Sequence, residues 1–376
     1  MTVTKLLPVL LAATWLAGAA HAAGDRPAEL APLGPPPIPA DNPNTPEKVE
    51  LGKMLFFDPI LSGNYAMPCS ACHLPDAGWA VQDRISFGYP GTIHWRNSQT
   101  IVNSAYYSKL FWAGSSKSLE AQARSAARGG VAGNGEDDMM EARLAFVPDY
   151  RWRFAAVFGT QWPKIRHAYA AIAAFERTLV QTDTPFDEYM RGDDAALSEA
   201  QKRGLDLFAG KANCIACHNG ALLSDEQYHN LGVPPYAGWE DDELAQITFR
   251  FELYAKGSTE KMYRTTKDDP GLYFRTKDAQ HKGKFRTPSL RYTKYTYPYM
   301  HNGMIETLRD VVEFYNAGGG ENEFADTKSP LMQPLGLSDA EIDDLVAFIE
   351  SLSGDEILID EPELPEMEPL PAAVRN

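Results

Sequence analysis

Cys69-Ser70-Ala71-Cys72-His73 and Cys214-Ile215-Ala216-Cys217-His218 between them use all four cysteines of the 376-residue chain. Each is a Cys-x-x-Cys-His stretch, the spacing at which two thiols add to the vinyl groups of one haem and the next histidine reaches its iron. A zinc ribbon made of two Cys-x-x-Cys pairs needs no histidine after each pair. A dithiol or disulfide reading also leaves both histidines unused. The pattern predicts two covalently bound haems c, with His73 and His218 as the iron ligands.

Ahead of the first motif stands Leu51-Gly52-x-x-Leu55-Phe56, and ahead of the second Arg203-Gly204-x-x-Leu207-Phe208. Self-similarity of this kind predicts two cytochrome-like units in tandem. Each unit opens on a helix with a start signal: Thr45 before Pro46 in the first, and Ser198 with Gln201 three residues on in the second. A third helix shows one apolar face in Ile165, Tyr169, Ile172, Phe175 and Leu179. A fourth starts at Ser338 with Glu341 three on, buries Ile342, Leu345, Val346, Ile349 and Leu352, and stops before Gly354. No run of alternating residues reads as a strand. The expected fold is mostly α, two tandem cytochrome c-like domains at residues 45–190 and 191–355, each with one covalently bound haem and long loops.

The flanks carry their own signals. Lys5 precedes an apolar run from Leu6, and Ala20-His21-Ala22 offers a cleavage site, so residues 1–22 read as a secretory signal peptide. That run falls short of the ~20 apolar residues a membrane span needs, and no later segment is long enough. Residues 23–44, with Pro35-Pro36-Pro37, read as an extended arm, and residues 356–376 as an acidic, Pro-rich tail that is mobile from Asp360 to Pro371. A formal charge of -16 argues against nucleic acid, whose phosphates call for a basic surface. It suits steering of a positively charged protein.

Phe285-Arg-Thr-Pro-Ser-Leu-Arg291, followed by Thr296-Tyr-Pro-Tyr-Met-His301-Asn-Gly303, resembles the C-terminal signature of the bacterial dihaem cytochrome c peroxidase and MauG family. The resemblance runs from about Leu51 to Leu352. It implies a periplasmic enzyme, often dimeric, whose N-terminal haem reacts with hydrogen peroxide while the C-terminal haem transfers electrons. It also implies one Ca²⁺ between the domains, here at Asn97, Thr296 and Pro298. The family's distal ligand to the second iron stands fourteen residues after the histidine of the Pro-Tyr-x-His motif, which is Tyr315 here, where peroxidases carry Met and MauG carries Tyr. A thioether raises the potential, whereas a phenolate favours Fe(III) and above. Met300, Met304 and Met332 are the alternative ligands.

Trp112, in Leu110-Phe111-Trp112, matches the family's inter-haem tryptophan, and Gln122 its distal glutamine. The family's distal glutamate is missing: without gaps, Ala132 takes its place. Glu136, in a run of three acids, is the candidate replacement, and His94 an alternative occupant of the first haem's distal side. The resemblance implies a MauG-like enzyme that uses peroxide to generate high-valent haem iron and oxidises a partner protein or small donor over long range. A conventional peroxidase fed by a small cytochrome or cupredoxin is the second expectation. A dihaem electron carrier or redox sensor is the third.

Overall fold

The computed structural model describes residues 26–366. The expected signal peptide lies outside them, as does the end of the acidic tail. Twelve α-helices occur among the described residues: α1 Pro46–Phe57, α2 Leu119–Arg128, α3 Asp137–Ala145, α4 Pro148–Phe158, α5 Ile165–Glu176, α6 Pro185–Arg191, α7 Glu199–Ala209, α8 Glu243–Ala255, α9 Glu260–Thr265, α10 Tyr273–Thr276, α11 Leu308–Asn316 and α12 Asp339–Glu350. Strand is confined to two antiparallel pairs, β1 Phe87–Gly88 with β2 Thr92–Ile93 and β3 Tyr228–His229 with β4 Phe285–Arg286. The mostly helical fold is as expected.

The start signals operate as written. Thr45 Oγ1 accepts from Lys48 N ahead of α1, and reciprocal capping boxes join Ser198 to Gln201 at α7 and Ser338 to Glu341 at α12. Side-chain oxygens there satisfy backbone N–H groups that have no partner inside the helix.

The repeated glycines explain how each unit is built. Helix α1 lies against α5, and a Cβ on Gly52 would fall 1.9 Å from Ala171 O and 3.0 Å from Phe175 Cβ. Helix α7 lies against α12, and a Cβ on Gly204 would fall 2.1 Å from Asp344 O and 2.6 Å from Phe348 Cβ. The helices cross backbone to backbone, with an aromatic residue at the same relative place. Around the first crossing packs a core that includes Leu51, Leu55, Phe56, Trp79, Tyr150 and Phe175. Around the second packs one that includes Phe186, Leu205, Phe208, Leu345, Phe348 and Leu352.

Both ends of the described chain are built in. In the arm, Leu30 joins the second core, and Asn42 donates to Glu120 and Ala170 O beside α2 and α5. After α12, Ile357 and Ile359 pack on the first core, and Ile357 O accepts from the buried Trp79 indole at 2.7 Å. The first residues of the acidic tail, ahead of Asp360, are therefore anchored, because an apolar pair and one carbonyl complete the first core. Arg291, from the Phe285–Arg291 motif, makes a two-point pair with Asp187 at 2.8 and 2.9 Å, both side chains fully enclosed. Asp187 also accepts from Leu33 N, so the pair fastens the arm to the second unit.

Replacing Gly204 or Gly52 by Ala forces the helices apart and should cost roughly 1–3 kcal/mol by overpacking. Thermal unfolding of the haem-loaded variants checks this, and an unchanged midpoint would mean that the glycines do not set the crossings.

Candidate functional site

The two Cys-x-x-Cys-His stretches fold alike, each as a short 3₁₀ turn that brings the histidine back under its own start. His73 N donates to Cys69 O at 3.1 Å and His218 N to Cys214 O at 2.9 Å. The ring Nδ1 of His73 lies 3.2 Å from Trp79 O, and that of His218 lies 3.1 Å from Leu223 O. A carbonyl only accepts, so Nδ1 carries the hydrogen and Nε2 keeps its lone pair for a metal. Burial lowers the pKa of both rings, which favours the neutral, ligating form.

The thiols are equally telling. Burial pushes Cys69 and Cys214 each up to about 12, and none of the four cysteines is in a disulfide. A zinc centre wants thiolates. Two half-buried thiols with one imidazole Nε2 beside each pair fit thioether attachment of haem, with the histidine left for its iron.

Both motifs open onto one cavity of about 1060 Å³, lined from Cys69, Cys72 and His73 at one end to Cys214, Cys217 and His218 at the other. Trp112 lines it between the two ends. Its Nε1 donates to Asn97 O at 2.8 Å, its own carbonyl accepts from Arg286 N on β4 at 2.8 Å, and its ring meets Phe285 and His301 edge-on. Gln122 on α2 lines the cavity near the first motif. Tyr315, in the last turn of α11, lines it near the second, where burial and then Cys214 and Cys217 hold its phenol well above the ordinary tyrosine value. Met300 and Met332 line the cavity as well, while Met304 packs outside it against Ile85 and Tyr236. Asn97, Thr296 and Pro298 all stand on its wall, and Asn97 N donates to His301 O at 2.8 Å.

Glu136 is a correction. It is the residue before α3, its side chain is 71 % exposed, and it faces Arg128 at 3.6 Å rather than the cavity. Hydrogen bonds from Gly133 N to Ala126 O and Gly135 N to Ala127 O fold the glycine-rich loop back onto α2, which turns the three acids outward. Three other carboxyl groups line the cavity: Asp58, Glu176 and Glu252. Nothing in their spacing marks them, because each is brought there by packing between distant elements. Burial pushes Glu176 up to about 8. His94 also lines the cavity, stacked on Trp95, with its pKa pushed down to about 4 by burial and by Arg96.

Residues 46–195 match the di-haem cytochrome c peroxidase family. Cytochrome-c peroxidase IdrP1 of Pseudomonas sp. (strain SCT) is 54% identical over 99% of this chain and 98% of its own length. Methylamine utilization protein MauG of Methylorubrum extorquens is 36% identical over 88% of this chain and 84% of its own. A solved MauG-like protein associated with microbial copper homeostasis superposes with a TM-score of 0.73 at 31% identity, covering 89% of this chain and 96% of that one.

Glu176 gives the site a pH signature. Its folded-state pKa of about 8 lies above the unfolded value of 4.5, so its contribution to stability is fully present below 4.5 and lost as pH rises to 8. Glu176→Gln should remove that loss, so that its unfolding midpoint gains on the parent between pH 5 and pH 8 (both pH values approximate, from the linkage relation). Parallel profiles for the two proteins would contradict the assignment.

Proposed function

The chain belongs to the di-haem cytochrome c peroxidase family, and from that premise we propose that it reacts with hydrogen peroxide in its all-ferric state. On this reading it draws two electrons over long range from a partner protein or a small donor. The observation that carries it is Tyr315, which lines the second end of the cavity beside Cys214 and Cys217. Among the described residues no span could cross a membrane, which accords with a periplasmic protein released from its signal peptide.

The haems supply peroxide binding and the storage of oxidising equivalents; the side chains set where and how. His73 and His218, oriented by the carbonyls of Trp79 and Leu223, present Nε2 from below each site. Hydrogen bonds of this type fix ring orientation and raise ligand basicity. Gln122 offers an amide to hydrogen-bond peroxide. Tyr315 would offer its phenol oxygen to the iron of the haem held by His218, and coordination to that Lewis acid would take the proton that burial otherwise keeps on the phenol. Trp112, clamped by Asn97 O and by Arg286 N, supplies an aromatic bridge between the two ends. Calcium is assigned to the oxygens of Asn97, Thr296 and Pro298, a hard-donor set whose place on the inter-unit wall would lock that bridge.

A second reading is a conventional peroxidase that needs one haem reduced before it reacts. The 54% identical relative is a cytochrome-c peroxidase, which favours it. One equivalent of peroxide added to the all-ferric protein separates the two. A spectral change at both haems in the visible, near-infrared and EPR supports the first, and no reaction until an electron is supplied supports the second.

Three further outcomes follow from the residue roles. Tyr315→Met should raise the midpoint potential of the second haem, since a thioether favours the ferrous state; an unchanged potentiometric titration would remove Tyr315 from the iron. Trp112→Phe should leave ligand binding at the first haem intact and slow oxidation of an external donor by at least about tenfold, an added barrier of ~1.4 kcal/mol. Chelation of calcium should weaken the mutual effect of the haems in EPR without releasing either of them, and identical spectra with and without chelator would count against a bound ion.

A further inference from the structure

Cleaving the O–O bond heterolytically needs a group that takes a proton from one peroxide oxygen and returns it to the other. Around Gln122, the residues of α2 and of 129–133 that line the cavity include no carboxyl, since Glu120 of α2 pairs with Arg177 outside it. Of the three that line the cavity, Asp58 already accepts from Tyr150 Oη at 2.7 Å and Ile60 N at 2.8 Å. Glu176 sits on α5 at the Cys69 edge and keeps its proton near neutrality.

Glu252 differs from both. It belongs to α8, a helix of the second half of the chain that lies across the first haem's end of the cavity. The helix is fixed there by Thr248, whose Oγ1 donates to Ile93 O at 2.8 Å and shares a 2.8 Å hydrogen bond with Thr92 Oγ1. Phe249 and Leu253 pack with Phe274, Trp95 and Trp239. The ring of Phe251 stands 3.5 Å from where a Cβ on Gly130 would lie, so α8 meets the loop that carries Ala132. Glu252 is 6 % exposed and lines the same cavity as Gln122, Gly130 and Ala132. Its Oε2 lies 2.8 Å from Lys256 Nζ and, like Oε2 of Glu176, receives no hydrogen bond in good geometry; what separates Glu252 from Glu176 is its place on α8, facing the loop of Gly130 and Ala132. Leaving a buried acceptor without one costs roughly 1–3 kcal/mol, more when it is charged. Native structures keep such groups chiefly where they are used.

We propose that Glu252 is the acid/base of peroxide cleavage, supplied from α8 in place of the carboxylate that position 132 lacks. The carboxylate accepts the proton of the oxygen facing the iron and passes it to the outer oxygen. That oxygen would leave as water with the O–O electron pair and both protons, and the two haems, when bound, would supply the two electrons that the remaining oxygen requires. Lys256 Nζ, 2.8 Å away, holds the carboxylate in position. The inference rests on the reading that peroxide reacts at the haem above His73.

The test uses the haem-loaded protein and two probes at neutral pH: hydrogen peroxide, and cyanide followed by visible spectroscopy as it binds the ferric protein. Cyanide arrives as HCN and binds as the anion, so its capture needs a base in the pocket but no O–O chemistry. Glu252→Gln should slow both reactions by about 10²-fold or more, Glu252→Asp should recover part of the loss, and Glu243→Gln, at the exposed start of α8, should behave as the parent. Parental rates in Glu252→Gln with both probes would overturn the proposal, as would finding the loss in Glu176→Gln instead. Slowed cyanide capture alongside a parent that is inert to peroxide would support Glu252 as the pocket base and sink the peroxide reading.

Discussion

The rest of the molecule depends on keeping open a largely apolar cavity of about 1060 Å³. Voids left in protein cores cost on the order of 24 cal/mol per Å³, which would put an unfilled cavity of this size at roughly 25 kcal/mol. Whole domains are stable by only about 5–15 kcal/mol. The chain is therefore a shell around groups it must hold, and its sequence devotes itself to anchoring them: four thiols, two imidazoles tied by their Nδ1 hydrogens, and two helix crossings with no side chain between them. Covalent attachment suits such a shell, because the filling can never be lost to solvent.

A second demand is that the two ends of the cavity keep a fixed separation, and this falls to the seam between the units. Arg96 pairs with Asp269 at 2.6 and 2.9 Å with both side chains over nine-tenths buried, and its guanidinium lies over the Trp95 ring at 3.9 Å. Arg275 donates to the carbonyls of Ala113 and Gly114, just beyond Trp112. Arg286 stacks on Tyr107 at 3.9 Å. Truncating either member of a buried pair of this kind is strongly destabilising, because the other is left charged and unmatched. Arg275 and Arg286, from the second unit, fasten the backbone and the aromatic residue that flank Trp112, while the indole itself rests on Asn97 O, Phe285 and His301.

Much of this was legible in the sequence. The haem motifs, the paired glycines and the helix caps are local patterns with local physics, and a reader of the chain can place them by spacing. Trp112, Gln122 and Tyr315 were legible only through resemblance, since an aromatic or an amide on a helix has no signature of its own; all three line the cavity. Glu136 misled because three acids beside a glycine-rich loop look able to turn inward, whereas the backbone hydrogen bonds of Gly133 and Gly135 turn them outward. Glu252 and α8 were invisible for the opposite reason. Ala245, Thr248, Phe249 and Glu252 form the buried side of a helix whose other side exposes Leu244, Ile247, Phe251 and Tyr254, so apolar residues on both faces blur its period.

The ends of the described chain cross over. Leu30, near the start, completes the second core, and Ile357, near the finish, caps the Trp79 indole of the first. A ribosome releases residues in order, so the half that is synthesised first lacks its final contact until nearly the whole polypeptide has emerged. Haem attachment at Cys69 and Cys72 can begin on an unfinished unit, and the two halves must then mature together rather than one after the other. A chain cut short after α12 would lose Ile357 and Ile359 and, with them, closure of the first core at the opposite end of the sequence.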